Sequence, residues 1–181
     1  MNGTHRRGSN MPMHVDAYTV GGMASGVLAQ AGYLRDALEG APDLPLERVA
    51  WRALDATGSR PAGALTIPVD EVLIAVADDH PSIPVHAAWH AIRLEVGPYI
   101  VEGEMPTLPG YDPGRALARP TGEFVLLRDV RLAHRDAPER SVALGHHALI
   151  NRYGVERVEA DIMLGFYFPG AAMDQPEAAP S

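Results

Sequence analysis

The chain has 181 residues, 46% of them apolar, with a formal net charge of −8. That is enough apolar material for a buried core, and an acidic excess shared by both halves argues against a broad non-specific nucleic-acid surface, which needs a basic excess. There is no cysteine and all fifteen basic residues are arginine, which excludes disulfides, thiolate metal sites, thiol nucleophiles, Schiff-base chemistry and lysine-dependent phosphate loops.

Arg6 and Arg7 have no apolar run behind them, so no secretory signal is read at the start. The longest apolar stretch, residues 162–168, falls well short of the roughly 20 residues a bilayer span needs. The expectation is a cytoplasmic protein. Residues 1–12 and 171–181 lack core-forming composition and are predicted to be disordered ends. Between them, Gly and Pro recur every few residues, which suits short strands and tight turns. The reading sets a first small β unit at 13–77, a proline-stiffened linker at 78–88 and a second small β unit at 89–170.

In the first unit, residues 15–20 alternate apolar and polar, Gly21-Gly22 turns the chain, and 23–28 returns through Gly26. Residues 33–38 occupy a loop with room for one short helix. Strands are predicted at 45–54 and 67–76, with a turn at 55–63 between them. In the second unit, strands are predicted at 92–96 and 99–105 around Gly97-Pro98. A long loop follows at 106–122, with a helical turn at 114–118. Further strands are predicted at 123–132, 141–144, 147–150 and 155–158. The two series run in parallel at an offset of roughly 76 to 80 residues, with Gly26 answering Gly103 and Arg48 set against Arg128, the pattern of an old duplication. The expected class is mainly β: two tandem small barrel-like units of the Sm/SH3-like kind, each with room for one short helix.

Residues 99–104 (Tyr-Ile-Val-Glu-Gly-Glu), 124–130 (Phe-Val-Leu-Leu-Arg-Asp-Val) and 148–158 (Ala-Leu-Ile-Asn-Arg-Tyr-Gly-Val-Glu-Arg-Val) carry a resemblance. The stretch 92–159 resembles an uncharacterised family of small bacterial β domains, and it is similar to the Sm-like barrel. The resemblance implies a fold. It does not carry over an RNA site, because residues 119–124 (Arg-Pro-Thr-Gly-Glu-Phe) lack the Asp-x-x-Met-Asn-type loop of the Sm-like RNA binders.

Candidate chemistry is sparse. His86 and His90 are spaced i,i+4, but the prolines at 81 and 84 oppose a helix there, and in an extended segment the two sit too far apart to chelate one ion. Adjacent His146 and His147 face opposite sides of a strand. Ser25 lacks the first glycine of a nucleophile elbow. Arg128 and Arg152, with His146 or His147, are the residues a ligand site between the units would use. The arginines and glutamates interleaved along the second unit are expected to pair across strands instead. The apolar run Ile162, Met163, Leu164, Phe166, Tyr167 and Phe168 is read either as an extra closing strand or as an interface anchor.

The leading expectation is a non-catalytic interaction or scaffold module, oligomeric or an accessory subunit of a larger assembly, with no cofactor and no metal. Its partner would be itself or another protein. A small-ligand or nucleotide binder, or an enzyme with a site between the units, is the alternative from another class. An Sm-like RNA binder is disfavoured by the acidic charge.

Overall fold

A computed structural model describes residues 12–29, 32–79, 81, 83, 86–107, 122–164 and 166–174. These form eleven strands and one α-helix: β1 (Met13–Thr19), β2 (Gly22–Leu28), α1 (Leu34–Gly40), β3 (Asp43–Ala53), β4 (Arg60–Pro68), β5 (Ile74–Ala77), β6 (Ala88–Val96), β7 (Tyr99–Thr107), β8 (Phe124–His134), β9 (Ala137–Asn151), β10 (Val155–Ala160) and β11 (Ala172–Asp174). A 3-10 turn at Val69–Glu71 joins β4 to β5. The mainly β class is what the structure shows.

All eleven strands lie in one open sheet, ordered β11-β10-β6-β7-β8-β9-β5-β1-β2-β3-β4. Every neighbouring pair is antiparallel except β10–β11. Within this order the two halves follow the same path. Strands 1 to 4 form a meander and the fifth returns beside the first, giving β5-β1-β2-β3-β4 and then β10-β6-β7-β8-β9.

The halves also bend at matching places. The β2–β3 register breaks at Gly26 and the β7–β8 register at Gly103. A Cβ on Gly26 would lie 3.0 Å from the Glu47 carbonyl oxygen, and one on Gly103 would lie 2.9 Å from that of Arg128, so close backbone approach requires glycine at both. The next residues along, Arg48 and Asp129, take positive φ (51° and 52°) as bulges in β3 and β8. Val49 then faces Gly63 across β3–β4, as Val130 faces Gly145 across β8–β9, and both of these glycines have positive φ. By position in the two halves Glu47 corresponds to Arg128 and Arg48 to Asp129, so the predicted match of Arg48 with Arg128 is out by one residue.

The middle of the sheet is a wall between two cores. Phe124 and Leu126 of β8, Leu149 of β9, Ala75 of β5 and Val15 and Ala17 of β1 pack on one side, with Leu44, Leu46 and α1. Val125, Leu127, Ala148, Ile150, Ile74 and Tyr18 pack on the other, with β6, β7 and β10. Burial on both faces explains why residues 124–127 and 148–150 read as continuous apolar runs instead of alternating. Burying each large side chain contributes about 1.5–3 kcal/mol.

Helix α1 has only seven residues, too few to persist alone. Leu34 and Leu38 anchor it in the core. Arg35 donates to the Phe124 carbonyl (2.7 Å), and Asp79 accepts the Leu34 N–H (2.8 Å). The helix thus ties the first half to the second.

Several boundaries depart from the sequence reading. Residues 67–76 are not one strand, because Pro68 ends β4 and the 3-10 turn intervenes before β5. Residues 141–144 and 147–150 belong to one strand, β9, which runs through Gly145. The composition of 171–181 predicts disorder, yet Ala172–Asp174 forms β11 beside β10. The helical turn expected at 114–118 lies outside the described residues.

Candidate functional site

The sheet is open, so its edges are where another strand can add. Inside the chain two such edges already meet. The outer edge of β5 pairs with the outer edge of β9 through Ile74↔Ile150 and Ala75↔Leu149. Asn151 closes this seam: its backbone N–H donates to Leu73 O (2.9 Å) and its side-chain amide to Val72 O (3.2 Å). From the second half, the Tyr99 hydroxyl donates to Thr19 O (2.8 Å), and its ring meets Tyr18 edge-on with centroids 5.7 Å apart. Burial raises both phenol pKa values to about 12, with the neighbouring Asp16 adding to Tyr18 and the neighbouring Tyr18 adding to Tyr99.

Toward the far ends lie β4, which is terminal, and β10, which β11 covers; they hold the positions of β9 and β5. Among the described residues no strand covers the outer side of β4, whose residues are mostly exposed. Pro61, Gly63 and Pro68 interrupt that edge, leaving Ala64-Leu-Thr-Ile67 as its regular part. At the other end β11 pairs with β10 through Arg157↔Ala172, Val158↔Met173 and Glu159↔Asp174, with an Arg157–Asp174 ion pair of 2.8 Å.

The C-terminal apolar run is split between two roles. Leu164 and Phe168 are buried in the second core, with Ile162 and Tyr167 packed against it. Met163 and Phe166 are each 56% exposed. The run contains no strand among its described residues, so a closing strand is not what it supplies. It plugs the core by turns: Tyr167 N–H donates to Leu164 O (2.8 Å) and Ala171 N–H to Phe168 O (3.2 Å).

Of the residues proposed for a ligand site, the structure brings together two. Arg128 and His147 stand opposite one another across β8–β9. Arg128 is already engaged by Glu104 (2.6 Å) and lies over the Trp89 ring at 3.8 Å. His146 is exposed. Arg152 is remote from them, buried, and donates to Gly122 O (3.4 Å) and Phe166 O (3.1 Å). His90 bonds Thr107 (3.0 Å) while His86 is exposed. No group of three or more metal-ligating side chains occurs among the described residues.

A cavity of about 160 Å³ does open between the halves, lined by Tyr33, Arg35, Asp79, Leu126, His147 and Leu149 among others. Ligand pockets commonly run to about 300–1,000 Å³; a second cavity between the halves, lined by Tyr18, Arg52, Tyr99, His134 and Arg140 among others, reaches about 360 Å³. In the smaller cavity Arg35 and Asp79 are committed to the fold through Phe124 and Leu34. Ser25 donates to Asp16 (2.5 Å) and lies 3.0 Å from His14 Nε2. That same ring nitrogen is the atom 3.5 Å from Asp16, so the trio lacks the two-sided histidine of a catalytic relay.

The outer face of the second half is an ion ladder, as the interleaved charges predict. Arg93 pairs with Glu102 (3.6 Å), Glu159 (3.7 Å) and Glu95 (3.9 Å), and Arg135 with Glu156 (2.8 Å) and Glu95. The guanidinium groups of Arg93 and Arg135 are therefore paired with neighbouring carboxylates. No described helix is long and apolar enough to cross a membrane.

The fold and its edges define a mainly β protein, a single open sheet with an internal edge-to-edge seam. No family model, curated protein or solved structure matches the chain.

Proposed function

We propose that this protein is a non-catalytic assembly module, made of two duplicated small barrel-like units, the second of them Sm-like, and that it associates head to tail with further copies of itself through its sheet edges. One observation carries the reading. The β5–β9 seam joins the edge type that β10 also presents to the edge type that β4 also presents. Outside the seam the sheet therefore holds the same complementary pair again, β4 open at one end and β10 under β11 at the other, and such heterologous contacts build rings or filaments.

The seam also indicates which amides matter. Asn151 donates outward from β9, and so does Leu149, two residues before it, since strand groups alternate. Their counterparts in β4 are Pro68 and Thr66, leaving Thr66 as the outward donor. Thr66→Pro removes that donor without touching the β3–β4 ladder. The intact protein is expected to show a mass above one chain that rises with concentration in light scattering. T66P is expected to keep the wild-type circular dichroism spectrum and remain at the mass of one chain. A wild-type protein of one-chain mass at every concentration rejects the reading.

A further inference from the structure

We infer that β11 is a removable cap, an intramolecular stand-in for the β4 of a second copy, and that its release controls assembly. The inference rests on the head-to-tail reading and adds its regulation. The residues of β10 that correspond to Ile74 and Ala75 at the seam are Arg157 and Val158. Tyr18 pairs with Ile74 and Ala17 with Ala75, just as Glu95 pairs with Arg157 and Leu94 with Val158. Those are the residues β11 covers, through Ala172 and Met173. The cap therefore occupies the stretch of edge that an incoming β4 would use.

The cap is built more weakly than the seam. At the seam Ile74, Ile150 and Ala75 are fully buried and Leu149 nearly so. In β11 Ala172 is exposed and Met173 and Asp174 are only half-buried. The pairing is parallel, whereas the seam, with two paired residues, is antiparallel and reinforced by the Asn151 hydrogen bonds. Its charged tie among the described residues, Arg157 to Asp174, is solvent-exposed and open to screening by salt. The core plug lies upstream of it: Leu164 and Phe168 are buried, whereas Met173 packs only partly buried against the margin of the same core. Such a strand can leave its edge while the fold stays closed, and parts of a structure with few buried contacts open most readily.

Two variants test this. A chain ended after Ala171 keeps the plug and loses the cap. It is expected to assemble at a concentration at least ten-fold lower than the full chain, and T66P in the same background is expected to abolish that assembly. Because the protein has no cysteine, Glu159→Cys with Asp174→Cys (directly paired across β10–β11) allows a disulfide to lock the cap. The oxidised form is expected to stay at one-chain mass, and the reduced form to assemble at or below the wild-type concentration. If full and shortened chains assemble alike and both respond to T66P, the cap is wrong and the assembly reading stands. If neither exceeds one chain, the assembly reading itself falls. Should the shortened chain fail to fold, the locked pair decides: equal masses in its oxidised and reduced forms overturn the cap.

Discussion

The two halves follow one backbone path yet present different surfaces. At the paired positions Asp16/Arg93 and Ser25/Glu102, the first half holds a small His14–Asp16–Ser25 cluster and the second a ladder of arginines and glutamates. Beneath these surfaces the bends coincide, with a glycine at the close approach, a positive-φ bulge, and a glycine facing the following valine. Steric requirements of the backbone admit few residues, whereas an exposed strand face admits many. The halves therefore agree where the chain must turn and diverge where water is the neighbour.

The largest test asks whether the halves are energetically one. Phe124 belongs to the second half by sequence but to the first half's core by packing. Phe124→Ala is expected to cost about 3–5 kcal/mol. It should lower one shared denaturation transition, followed both by circular dichroism and by tryptophan fluorescence, from Trp51 in the first half and Trp89 in the second. Two separated transitions would show instead that the halves melt independently.

Next comes alkaline pH, which acts on the Tyr18–Tyr99 contact between halves. Folded pKa values raised from 10.0 to about 12 mean that this stability is fully present below pH 10 and is lost as pH rises through 12. A displacement of one pKa unit is worth about 1.4 kcal/mol, so the loss for the pair is a few kcal/mol. Urea titrations at pH 9 and near pH 11 should show the fall, and Tyr99→Phe should shrink it. An unchanged slope with pH in that variant would remove Tyr99 from the account.

The smallest effect compares the two bend glycines. Gly26→Ala and Gly103→Ala should each destabilise by about 1–3 kcal/mol through overpacking. Gly26 should be the worse, because its added Cβ also meets Val49 Cγ2 at 2.9 Å and Leu46 Cβ at 3.2 Å, where Gly103 has 3.5 Å to its side-chain neighbours. Equal midpoints would mean that the side-chain crowding relaxes freely.

Much of the fold was legible because its signals are local. Gly97-Pro98, Gly103 and the alternation of Ile92, Leu94 and Val96 announce a hairpin without help from the rest of the chain. The 124–127 run was legible as a strand, but its service to two cores was not, since that depends on which strands arrive on either side. Ala172-Met-Asp174 carries no strand signal inside a Pro-, Ala- and Glu-containing tail, and only the β10 edge makes it one. The apolar run 162–168, which the sequence offers as a closing strand or an interface anchor, holds no strand among its described residues. Its division into buried Leu164 and Phe168 and exposed Met163 and Phe166 depends on turns that periodicity does not encode. Arg128 and His147 meet through strand register, which the sequence leaves open.

The seam also sets a timetable for synthesis. Ile74 emerges from the ribosome about 76 residues before its partner Ile150, an interval of roughly 4–15 s at 5–20 residues per second. Throughout it, the nascent first half carries an unpaired apolar strand edge at β5. Fast translation of residues 78–151, or a chaperone holding that edge, would therefore govern how much of the newly made chain escapes aggregation.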